Sequence, residues 1–229
     1  MGLSYDVVSG PTGRLERVWA AACDSPTDFS SLAKVTPMIA FARIAGTTTV
    51  HLRGPETKAT TMSCPSDTEY FGAELRVGVY LRPFPPARLA NLQDAVLPTL
   101  PDGRILLDNQ AWEMPTPQNL DVFVERLERA GLLVFDPLVE ELRYGGSVGK
   151  VPERTAQSRF VRAVGLSRRN LRVIERARHA ARLLRAGTSI ADVVREAGYY
   201  DQPHLTRALR QLIGHTPSVV AGGRQFLAL

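Results

Sequence analysis

The sequence predicts an α+β protein of two domains: a small N-terminal antiparallel β domain, and an all-α C-terminal domain with two helix-turn-helix units joined by a long helix. Three observations carry this reading. Between Pro37 and Leu81, short runs rich in Thr, Val, Ile, Phe and Tyr are broken by Gly46, Gly54-Pro55 and Pro65, as strands are broken by turns. After Pro117 the apolar spacing changes to a helical period. Residues 155–168 are then echoed by 204–217 at a constant offset of 49 positions: Ala156 falls on Leu205, Phe160 on Leu209, Ala163 on Leu212, Val164 on Ile213, Gly165 on Gly214 and Ser167 on Thr216. The shared positions are apolar at helical spacing and end in a glycine stop, whereas the polar faces differ. A chain of 229 residues is long enough for two cores, and we place the domains at 1–117 and 118–229, with the helical core at 151–221.

Taken in order, residues 1–37 have mixed polarity, with a short helix expected at 14–22 and a Ser, Asp, Thr and Pro-rich loop at 25–36. Strands are expected at 38–44, 47–52, 58–62 and 71–81. In the last of these, Glu74, Arg76, Gly78 and Tyr80 alternate with Leu75, Val77, Val79 and Leu81, as in a strand with one buried face. Residues 82–117 hold seven prolines and read as an irregular connector packed on the sheet, with one helical turn near 87–92 and Trp112 as its anchor onto one domain or between the two. Leu120, Val122, Phe123, Val124, Leu127, Ala130 and Leu132 suit a helix of about three turns, and Asp136-Pro137 is an N-cap and first-position pair for another through Leu142.

Gly145, Gly146 and Gly149 open a loop that ends at Pro152, where a helix with Ala156, Phe160, Val161 and Val164 inward begins. Ser167 caps the next, which runs to Ala186 with Leu171, Ile174, Ala177, Ala181 and Leu184 on one face and spans roughly 28 Å. Gly187 stops it. Ser189 caps a short helix at 190–197, Gly198 supplies a turn, and a last helix from Gln202 to Ile213 buries Leu205, Ala208, Leu209, Leu212 and Ile213.

Charge is distributed unevenly. Residues 148–229 carry 15 Lys+Arg against 5 Asp+Glu, a net +10, which leaves −5 for residues 1–147 out of the chain's +5. The C-terminal third is therefore the polyanion-binding part. Arginine makes up 25 of the 28 basic residues, a chain-wide bias, but the asymmetry between the two parts is not chain-wide. Cys23 and Cys64 stand alone, with no CxxC and no nearby His, so we expect ordinary thiols, no disulfide framework and no metal site. No run approaches the roughly 18 apolar residues of a membrane span, and no leader-like segment opens the chain, so a soluble, cytoplasmic protein is expected.

A short helix, a glycine turn and a second helix with a polar, Arg-bearing N-terminal half form the arrangement in which the second helix enters the major groove of DNA. Residues 190–213 fit it, with Gln202, Thr206 and Arg207 on a face that the core does not use. Arg can donate a bidentate pair to guanine and Gln one to adenine. In the first unit Arg154 and Gln157 hold the equivalent face, flanked by Arg159 and Arg162. The long helix between them would set the two reading helices about 34 Å apart, one duplex turn. His204 and His215 have no carboxylate or cysteine at ligand spacing, so each is read as structural or phosphate-contacting, and Asp201 as a helix cap.

Gly165-Leu166-Ser167, Glu175-Arg176-Ala177-Arg178-His179-Ala180, Leu183-Leu184, Ser189-Ile190, Ala197-Gly198-Tyr199, Asp201-Gln202-Pro203-His204-Leu205-Thr206-Arg207 and Gly214-His215-Thr216-Pro217 together resemble the C-terminal DNA-binding domain of the arabinose-regulator (AraC/XylS) family over about residues 151–221. The resemblance implies a bacterial transcription regulator, nucleoid-associated, with two reading units. It puts base-facing contacts on Arg154, Gln157 and Ser158 in the first unit and on Gln202, Pro203, Thr206 and Arg207 in the second, with His204 and Arg210 completing the DNA-binding set. The first unit departs from the family pattern at Pro152, Ala156 and Ser158, and its preceding loop, 143–151, is longer than a tight turn.

In this family the N-terminal part senses a small molecule, dimerises or both, and residues 38–81 resemble the small β domain of some actinobacterial members. A ligand pocket lined by Phe41, Tyr70, Phe71 and Tyr80 is one reading of those aromatics, and plain core is the other. The implied partners are promoter or operator duplex DNA, with a small-molecule effector, RNA polymerase and a second copy of the chain as further candidates; no cofactor, metal or catalytic residue is expected. An enzyme acting on DNA would need an activated cysteine, and neither Cys23 nor Cys64 has the flanking groups that lower a thiol pKa. The alternative within DNA binding is a sequence-tolerant architectural or interaction module.

Overall fold

The computed structural model describes residues 2–11, 13–91, 95–144, 151–223 and 227. Its strands are β1 (Leu3–Ser9), β2 (Leu15–Cys23), β3 (Thr27–Ser31), β4 (Met38–Ile44), β5 (Thr47–Arg53), β6 (Thr60–Cys64), β7 (Thr68–Leu75), β8 (Val79–Leu81), β9 (Ala95–Leu97), β10 (Ile105–Leu107), β11 (Gln110–Trp112) and β12 (Leu133–Phe135). Its helices are α1 (Pro86–Leu89), α2 (Leu120–Arg129), α3 (Pro137–Arg143), α4 (Glu153–Val164), α5 (Arg168–Arg185), α6 (Ile190–Glu196), α7 (Gln202–Leu212) and α8 (Pro217–Ala221). They form two compact units: Met1–Thr27, Thr36–Pro55 and Cys64–Arg168 make the first, and Asp28–Val35, Glu56–Ser63 and Arg169–Leu229 the second. Among the described residues no helix is long and apolar enough to cross a membrane, and no group of His, Cys, Asp and Glu could hold a metal ion.

The first unit is built on an antiparallel sheet of order β1-β2-β7-β4-β5-β9. In its centre β4 and β7 place Phe41 directly opposite Phe71, and the rings stack with centroids 4.6 Å apart. The apolar face of α2, with Leu120, Phe123, Val124 and Leu127 buried, covers this sheet. Phe123 meets Phe41 edge-on, and Trp112 meets Phe123 in the same way. β12 pairs with β8. The division between units thus does not fall at 117/118: α2, β12, α3 and α4 all belong to the unit that holds the sheet, because the apolar stripe of α2 is buried there. Trp112 is likewise a core side chain of that unit.

Several expectations are corrected. Residues 15–22 lie in strand β2, not in a helix. An alanine-rich run has helical propensity, but β2 pairs along its length with β7, and a bulge between Leu15 and Arg17 breaks the two-residue alternation that would have marked it as a strand. Trp19 lies across Gly72, where a Cβ would come within 2.7 Å of the indole, so β7 needs glycine there. The 25–36 loop contains β3. The single strand expected at 71–81 is two: Gly78, at φ +90°, lies in the turn between β7 and β8, and β8 leaves the main sheet to pair with β12. The connector is more regular than its prolines suggested, with α1, an edge strand β9, and a β10–β11 hairpin turning at Asp108 and Asn109, both at positive φ.

The two cysteines are not ordinary thiols. The ends of β2 and β6 bring Cys23 and Cys64 to a Cα–Cα distance of 6.3 Å, and a disulfide joins them. Nothing in their sequence spacing announced it.

The second unit consists of α5 to α8 together with a ribbon, β3 paired with β6. α5 buries Leu171, Ile174, Ala177, Ala180, Ala181 and Leu184, the expected stripe with Ala180 added. α8, absent from the expectations, starts at Thr216, whose side chain accepts a hydrogen bond from the Val219 amide.

Candidate nucleic-acid interface

The first helix pair, α3 and α4, lies in the first unit. The Asp136 side chain accepts from the Leu138 amide as the N-cap of α3, as the Asp-Pro pair predicts. The same carboxylate takes a forked contact from Arg159 of α4, Nη2 to Oδ1 at 2.6 Å and Nε to Oδ2 at 3.2 Å. Arg159 therefore ties the two helices together, a different use from the DNA contact expected of it. α4 ends at Gly165, in the left-handed region at φ +77°, and a Cβ there would come within 2.7 Å of both Pro55 Cγ and Pro86 O. Its apolar face, Ala156, Phe160, Ala163 and Val164, is buried. Arg154, Gln157, Ser158 and Arg162 remain exposed, with Arg154, Gln157 and Ser158 sharing one face at positions i, i+3 and i+4. Residues 145–150 of the preceding loop lie outside the described residues.

The second pair, α6 and α7, lies in the second unit. Ser189 caps α6 by accepting from the Asp192 amide, and its hydroxyl in turn donates to the Asp192 carboxylate, which also pairs with Arg195. The Ser189 hydrogen bond, followed by that of Arg195, holds the Asp192 pKa below its ordinary value. The turn is locked from below by α5. The Arg176 guanidinium sits 4.6 Å from the centroid of the Tyr199 ring and donates to the Gly198 carbonyl at 3.3 Å. Burial raises the Tyr199 pKa while the Arg176 charge opposes the rise.

Asp201 caps α7 by accepting from the His204 amide at 2.7 Å, which is the role expected of it. Beyond the cap, Leu205, Leu209 and Leu212 are buried, and Gln202, Pro203, Arg207 and Arg210 are exposed. Pro203, Arg207 and Arg210 follow one another at i, i+4 and i+7, with Gln202 and half-buried Thr206 alongside, so the polar face is continuous. His204 is half-buried instead. Its ring meets Tyr199 edge-on at 5.2 Å, and its Nδ1 accepts from the Tyr200 amide at 3.5 Å, so it braces the turn. His215 is 3.0 Å from Ser30 Oγ through its Nε2.

Sequence reasoning missed the Arg176–Tyr199 lock and the ribbon contacts. The partners lie far apart in the chain, and Arg176 alone reads as one more surface arginine. Phe41 and Phe71 are stacked core side chains, Tyr70 is half-buried, and Tyr80 alone borders a small apolar recess with Met38, Leu52, Phe84 and Leu89.

Residues 149–222 match the family model of a helix-turn-helix domain. No curated protein and no solved structure matches the chain.

Proposed function

We propose, from the premise that residues 149–222 form an AraC-type helix-turn-helix domain and that the chain is a DNA-binding transcription regulator, that it recognises a defined operator by inserting α4 and α7 into successive major grooves. The reading rests above all on α7, an amphipathic helix whose buried leucine face leaves Gln202, Thr206 and Arg207 at its solvent-facing N-terminal half. That half of a reading helix is the one that meets base edges. Arg207 suits a bidentate contact to guanine and Gln202 one to adenine, while Arg210, a turn further on, suits phosphate. In α4, Arg154, Gln157 and Ser158 take the base-facing role and Arg162 the phosphate role. Arg159, forked to Asp136, is left out of this set.

Affinity for a duplex selected by the protein from a random library, compared with unselected duplex across a salt series, tests the reading. Base recognition gives a large preference for the selected duplex, whereas phosphate contact alone gives a steep salt slope with little preference. Arg207→Ala is expected to cost about 1–3 kcal/mol on the selected duplex and to relax choice at one base pair. Equal losses on selected and random duplex would make Arg207 a phosphate clamp. Control by a small molecule is a further part of this reading, and a compound that changes the affinity of the full chain for the selected duplex is its test.

A further inference from the structure

The second reading unit is not made from residues 149–222 alone. Segments Asp28–Val35 and Glu56–Ser63, outside the matched region, belong to it. Their contacts gather at the C-terminal end of α7, where the last carbonyls of any helix lack partners within the helix. Two of these carbonyls are taken by backbone amides of the ribbon segments: Ala59 donates to Gln211 O and Ala33 to Leu212 O, both at 2.8 Å. The Ala33 carbonyl in turn accepts from Arg178 of α5 at 3.3 Å, so residue 33 holds the reading helix through its N–H and the long helix through its C=O. Leu32, Ala33 and Val35, just beyond the end of β3, are buried at 4%, 0% and 7% exposure. Gly214, where the chain leaves α7, lies so close that a Cβ would sit 3.3 Å from Ala59 Cβ and 3.4 Å from Ser30 Oγ.

We infer that the segments 28–35 and 56–63 are a positioning element for α7: they cap its C-terminal end and hold it to α5, setting the angle at which Gln202, Thr206 and Arg207 face the groove. This rests on the base-reading role proposed above. The helix is 11 residues long and its neighbours α6 and α8 are 7 and 5, so its direction depends on what holds its C-terminal end as well as on its buried leucine face. A base-edge hydrogen bond is lost when the donor swings off line, while a phosphate contact tolerates the same swing. Release of the cap therefore weakens operator binding more than random binding.

The test uses the full chain, with a duplex selected by the wild type from a random library and an unselected duplex of equal length. Ala59→Pro deletes the donor to Gln211 O, and Ser30→Ala, a milder change, deletes the hydroxyl facing His215. For Ala59→Pro the ratio of selected to unselected affinity is expected to fall about tenfold, the loss of one base contact, with unselected affinity changed by less than about twofold. Ser30→Ala moves the ratio the same way by about threefold with circular dichroism unchanged, and it decides the matter if the proline variant does not fold. A wild-type ratio near one sinks base reading and this inference with it. A clear wild-type preference that the variants retain, or an equal fall on both duplexes, overturns the positioning role alone.

Discussion

Removal of the Cys23–Cys64 disulfide is the most informative perturbation of the first unit. The bond joins the ends of β2 and β6, its two residues are each 2% exposed, and it closes a loop with a sequence separation of 41. In the chain-entropy model a loop of that size restricts the unfolded chain by about 4 kcal/mol at 25 °C. Cys23→Ala with Cys64→Ser is a suitable replacement, since Cys64 Sγ lies 3.4 Å from Thr68 Oγ1 and a serine hydroxyl there keeps a partner. The two tryptophans of the chain, Trp19 and Trp112, are both in the first unit, so their fluorescence reports its unfolding. With a urea slope of about 2 kcal/mol per molar, the midpoint of the double variant should fall by about 2 M relative to the oxidised wild type. Reductant should move the wild type to the same place and leave the variant where it is. Two alkylatable thiols in denatured, unreduced wild-type protein, or an unchanged midpoint in the variant, would refute the reasoning.

In the second unit, Leu209 is 0% exposed, and Leu209→Ala should destabilise the fold by about 2–5 kcal/mol, read as a lowered melting temperature by circular dichroism; an unchanged melt would show that α7 is not packed through this face. At the first helix pair, Asp136→Ala removes a helix cap and the partner of Arg159 together, and should cost at least about 1 kcal/mol in denaturant unfolding. Arg162→Ala should reduce the slope of log affinity against log salt by about one, whereas Arg159→Ala should leave it alone because its guanidinium is already committed to Asp136. The opposite ranking would mean that Arg159 leaves Asp136 when DNA binds.

The helical third was legible in its caps, its stops and most of its buried positions, although Val161 and Ala208, expected inward, are only half-buried. The caps Asp136, Ser189 and Asp201, the glycine stops at 165, 187, 198 and 214, and the buried stripes of α4, α5 and α7 are local features, set by hydrogen bonds and spacings within a few positions. The strands β4 and β5 were legible for the same reason. β2 was not, because its identity depends on a partner 50-odd residues away and on a bulge that hides its alternation. Among the candidate site residues, the exposed faces of α4 and α7 stand where helical periodicity put them. Arg159 and His204 lie on or near those faces, but Asp136 holds the first and the Tyr199 ring with the Tyr200 amide holds the second.

From its own order of residues, then, the chain dictates two repeated helix pairs, a basic C-terminal third and the polar positions that face outward, because periodicity and capping act over one or two turns. Only folding in three dimensions decides that Cys23 meets Cys64, that α2 closes the sheet's core, and that amides from residues 33 and 59 cap the helix ending at 212. Each joins groups separated by tens to more than a hundred residues, and an unpaired backbone carbonyl or a lone thiol does not mark in the sequence which distant group will meet it.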